Sequence, residues 1–126
     1  MGRQKGFLMN ISEAVQALMP LIDSFERLDI AYYIGGLVAS SVRERDRYVQ
    51  NIDVVAAIGL DHVQSLVAML QREYSIDAEV IRRVIRSQSS FNVLHNDTGV
   101  KIDVSIHKTR AVCESIDPIH EMRLEI

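Results

Sequence analysis

The chain has 126 residues, 48% of them apolar and 25% charged, with a formal charge of −3. That balance suits one domain with one core over residues 1–126, and it excludes disorder along the whole chain. The acidic sum excludes strong non-specific nucleic-acid binding through bulk charge. The single cysteine, Cys113, excludes a disulfide framework and a cysteine-based zinc site, and points to a reducing, cytoplasmic compartment. No apolar run approaches the roughly 20 residues of a membrane helix, so no membrane partner is expected. The start, "MGRQKGFLMN", has too short an apolar run for a secretory leader, and residues 1–9 read as a flexible tail.

The first helix is expected near Asn10, with Glu13 three residues on as its capping-box partner. Val15, Leu18, Ile22, Phe25 and Leu28 recur at helical spacing, and Pro20 should kink that helix or split it. Ile30 to Gly36, "IAYYIGG", reads as a strand stopped by two glycines. Leu37 to Glu44 then reads as a short helix, and Arg43 to Gln50 as a charged loop. Ile52 to Ile58 reads as a strand buried on both faces. Asp61 is the expected cap of the next helix, whose apolar face is Val63, Leu66, Val67 and Leu70. A further helix is expected over Asp77 to Arg86, with Val80, Ile81 and Val84 inward. Phe91–His95 and Val100–Ile106 form a predicted hairpin across the turn "NDTG". Met122, Leu124 and Ile126 alternate with charged residues and suggest a last short strand. The succession of elements implies an α/β (α+β) domain with a mixed or antiparallel sheet.

Two aspartates stand out. Period-two geometry puts Asn51 and Asp53 on one face of their strand. Lys101, Asp103 and Ser105 share a face opposite Val100, Ile102, Val104 and Ile106. Aspartate is unfavourable in strands, and a buried carboxylate needs a partner. If the two strands are neighbours, Asp53 and Asp103 can share a divalent cation such as Mg²⁺. In the competing reading each Asp caps a loop or pairs with an arginine of the 43–47 segment. Gly35-Gly36 ahead of a helix start would let backbone approach a phosphate, although a simple turn explains it equally. Arg43, Arg45 and Arg47 are balanced by Glu44 and Asp46, as in a solvated loop. The four histidines, His62, His95, His107 and His120, lack ligand spacing, so no zinc site is expected.

A strand ending in Gly-Gly, a short helix, a loop with arginine, a D-x-D-like pair on a strand and a lone Asp on a later strand together form a pattern. In that order, "YYIGGLVASSV", "RYVQNIDVVA", "SSFNVLHNDTGVKIDVSI" and "MRLEI" resemble the nucleotidyltransferase superfamily related to DNA polymerase beta. Within it the chain is similar to small bacterial nucleotidyltransferase-like proteins grouped with the AbiEii-type toxins, over residues 10 to 126. The resemblance implies a mixed sheet flanked by helices, two Mg²⁺ ions, and attack of a hydroxyl on a nucleoside triphosphate. By position, Gly35 and Gly36 match the phosphate turn, Asn51 and Asp53 the D-x-D, and Asp103 the third acid. Arg47 matches the basic residue before the D-x-D.

Three positions depart from the family. Leu37 stands where a small hydroxyl residue is usual, Val49 where threonine is usual, and Asn51 where the first metal carboxylate is usual. All three remove polar or anionic function from one expected site, which implies weak or absent catalysis. Three readings follow: an active Mg²⁺-dependent transferase acting on a protein or RNA hydroxyl, a non-catalytic module binding a protein partner in a toxin–antitoxin or phage-defence pair, and a homo-oligomer closed by the last strand.

Overall fold

A computed structural model describes residues 9–43 and 46–107. The chain runs β1 (Met9–Asn10), α1 (Ile11–Arg27), β2 (Tyr32–Arg43), β3 (Asp46–Ala56), a 3₁₀ turn (Leu60–His62) and α2 (Val63–Leu70). It continues through β4 (Tyr74–Ser75), α3 (Ala78–Ser87), β5 (Ser90–His95) and β6 (Lys101–Ile106). Among the described residues the sheet has six strands, in the order β1-β3-β6-β5-β4, with β2 also paired to β3. Both β2 and β6 pair with residues 53–56 of β3, so they occupy opposite edges of that strand. β1 lies antiparallel to β3 at Val49 and Tyr48, on the same edge as β6 and end to end with it. The β3–β6 pair is parallel and the other pairs are antiparallel, so the sheet is mixed.

Helix and sheet meet on one side. Ile52, Val54 and Ala56 of β3, Phe91 and Val93 of β5, and Ile102, Val104 and Ile106 of β6 are buried in one cluster with the three helices. Their alternate neighbours face outward, so β3 past Asn51, β5 and β6 are half-buried strands with one open face. The expected burial of the Ile52–Ile58 strand on both faces is therefore corrected. Among the described residues, helices cover one side of the sheet, a two-layer arrangement.

α1 is a single helix through Pro20, not two. Its buried stripe is Ala14, Ala17, Leu18, Leu21, Ile22 and Phe25, whereas Val15 is exposed. Each fully buried Leu or Phe there contributes about 1.5–3 kcal/mol. Pro20 offers no N–H to the Gln16 carbonyl four residues back. The hydroxyl of Tyr74, itself buried, donates to the next carbonyl, that of Ala17. Phe25 stacks tilted on Tyr32 at 5.6 Å between centroids, and the Tyr32 hydroxyl donates to Glu26 Oε2 at 2.7 Å. Burial, reinforced by the Glu26 carboxylate, holds the Tyr32 hydroxyl above its ordinary pKa.

The largest correction concerns residues 35–50. No helix follows Gly35-Gly36: β2 continues to Arg43, and the expected loop over 46–50 belongs to β3. The register slips between Ile34 and Gly36, so the first glycine is absorbed as an irregularity of the strand. Ladder bonds along an extended hairpin here override a local pattern that reads as a stop. Asp61 lies inside the 3₁₀ turn and caps nothing; instead the Gly59 N–H donates to His62 Nδ1 at 2.9 Å.

Elsewhere the expected elements form. Asp77 caps α3, accepting from the Glu79 N–H at 2.9 Å, and Ile81 and Val84 point inward while Val80 is partly buried. α2 buries Val63, Leu66 and Leu70. β5 and β6 pair antiparallel, with Gly99 at φ +77° in their turn. The two-residue strands β1 and β4 have no counterpart among the expected elements. Met9 pairs with Val49, so residue 9 belongs to the sheet and not to the tail expected over 1–9. Residues 1–8, Cys113, His120 and the strand expected over Met122–Ile126 lie outside the described residues.

Candidate functional site

The open face of the sheet carries the residues of interest. Asp53 and Asp103 are direct register partners on the parallel strands β3 and β6. Strands lie about 4.8 Å apart, and directly opposed residues share a face. The same row continues outward in both directions. Gly36 of β2 stands opposite Asp53, and Asn92 of β5 stands opposite Asp103. Four strands therefore bring Gly36, Asp53, Asp103 and Asn92 into one line. Asp53, Asp103 and Asn92 are all exposed, so neither carboxylate is the buried group the sequence suggested.

The row has a local electrostatic signature. Partial loss of solvent raises the Asp53 pKa, and the neighbouring charge of Asp103 raises it further. Two carboxylates in adjacent register favour either a shared proton or a cation. Lys101, two residues before Asp103 on β6, is exposed on that same face.

The glycines are not where a phosphate turn would need them. Both lie within β2, and no helix N-terminus stands behind them. A methyl added at Gly35 would reach the Asp53 carbonyl oxygen at 3.6 Å and Val55 Cγ2 at 3.7 Å, ordinary contacts. At Gly36 it would meet nothing within 4 Å. Packing does not demand either glycine, and Gly36 leaves one flank of Asp53 bare.

The remaining candidates are placed by register. Leu37 stands opposite Ile52, and Asn51 opposite Val38, two residues before Asp53. Arg47 stands opposite Ser41, six residues before Asp53. At about 3.3 Å per residue its backbone is roughly 20 Å away along the strand. The structure thus gathers Gly36, Asp53 and Asp103, keeps Asn51 close in sequence, and sets Arg47 apart. Asn92 is the addition that reading the chain missed. Its place in "FNVLH" was visible, but only the β5–β6 register puts it beside Asp103.

The chemistry of this donor set fits a hard divalent cation. Mg²⁺ is commonly held by one or two carboxylates, with water or phosphate oxygens completing its shell. Asp53 and Asp103 are the residues that would hold it, and the Asn92 position offers an amide oxygen. Among the described residues, no group of three or more His, Cys, Asp or Glu side chains gathers at a metal-binding distance. The described histidines do not join the row. His62 accepts from backbone at Gly59, and His95 is buried against Tyr74, with Thr98 Oγ1 at 2.8 Å from its Nδ1.

Comparison with protein-family models, curated proteins and solved structures found no match. Among the described residues, no helix is long and apolar enough to cross a membrane.

Proposed function

We propose that this chain is a nucleotidyltransferase-like protein whose metal and nucleotide site is degenerate. The observation that carries the reading is the register pairing of Asp53 with Asp103 on one open sheet face. Asp53 and Asp103 would hold one Mg²⁺, relieving the repulsion that raises the Asp53 pKa. When bound, that ion supplies a positive charge to polarise phosphate oxygens of a nucleoside triphosphate. The protein's own part is to orient the ion through two rigid strands and to leave the Gly36 flank open.

Transfer itself is weak or absent on this reading. Asn51 brings no charge where the resemblance expects the first carboxylate, so a second cation would be poorly neutralised. The extended β2 also removes the helix start that would have favoured an anion next to the glycines. The lone cysteine fits a reducing, cytoplasmic setting.

The test is calorimetric titration of Mg²⁺ alone, then Mg²⁺-ATP and Mg²⁺-GTP, into the protein and into Asp53→Asn and Asn51→Asp. Weak Mg²⁺ binding that disappears in Asp53→Asn and tightens in Asn51→Asp is expected. Nucleotide heat should follow the same order. Absence of Mg²⁺ binding in both the original protein and Asn51→Asp overturns the proposal.

A further inference from the structure

We draw no further inference here: the strongest candidate, the buried His95 ring at the β4–β5 seam with Thr98 at its Nδ1 and the Glu73 carboxylate 3.8 Å from its Nε2, carries nothing, because its polar neighbours belong to the fold and nothing in the structure points to a ligand there.

Discussion

Asp53 is the residue at which stability and proposed function oppose each other. It faces Asp103 across a parallel strand pair, and like charges directly opposed destabilise a sheet. Its folded pKa lies above its unfolded one, so the folded state holds more protons between those two values. Stability contributed at this position is therefore lost as pH rises through that window. Below the ordinary carboxylate pKa the penalty is absent. Asp53→Asn should then raise the urea midpoint at neutral pH by an amount equivalent to ~0.5 kcal/mol, without added Mg²⁺. The gain should vanish at acid pH and shrink in high salt. Denaturation curves at several pH values check the sign; a loss of stability at neutral pH would contradict it.

Two backbone positions give sharper residue-scale tests. Gly99 sits at φ +77° in the β5–β6 turn, a region where a side chain crowds the backbone. Gly99→Ala should cost about 1 kcal/mol. Gln88 ends α3 at φ 55°, ψ 46°, a left-handed cap held by a non-glycine residue. Gln88→Gly should be neutral or stabilising by up to ~1 kcal/mol. Thermal melts of the two variants should therefore move in different directions, or one should stay still while the other falls.

At the scale of elements, α1 and β4 depend on each other. The Tyr74 hydroxyl donates to the Ala17 carbonyl in the turn of α1 that precedes Pro20. β4 is only two residues long, yet it sets Tyr74 against His95 and brings that hydroxyl under the helix. Tyr74→Phe keeps the ring contact, with its 5.1 Å centroid separation, and removes only the donor. The variant should lose about 1 kcal/mol, the net worth of a buried hydrogen bond. An unchanged urea midpoint would mean that the hydroxyl adds nothing to the packing of β4 under α1.

Across the whole molecule, β3 organises both the core and the site. Residues 53–56 are hydrogen-bonded on both edges, by β2 and β6, while their inward side chains meet the helices. Local opening of such a strand requires breaking both ladders and exposing the core. Amide exchange at Val54, Val55 and Ala56 should therefore be among the slowest in the protein, and exchange at Tyr74 and Ser75 much faster. Mass spectrometry of exchanged peptides measures this ordering. The same placement means that the Asp53 backbone is held rigidly while its side chain remains open to solvent, which is what a cation site on a sheet face requires.

The β5–β6 hairpin, its turn, the helix over Asp77 to Arg86 and the alternation around Asp103 were legible in the chain because each depends on neighbours within a few residues. Asp103 could be assigned an outward face from "VKIDVSI" alone, since strand side chains alternate. That helices would join a mixed or antiparallel sheet also followed from the periodicities, whereas the open face of the Ile52–Ile58 strand did not. Register between distant strands did not. The opposition of Asp53 to Asp103, and of Asn92 to Asp103, joins segments that no local rule connects. Residues 37–43 show the same division: Leu37 and Ala39 favour helix while Val38 and Val42 favour strand, so pairing along β3 decided their conformation and replaced an expected helix with a strand. Short-range chemistry thus determined which faces are apolar and where turns fall, whereas the tertiary structure alone decided which polar residues meet, because strand pairing is a long-range choice made by the whole core.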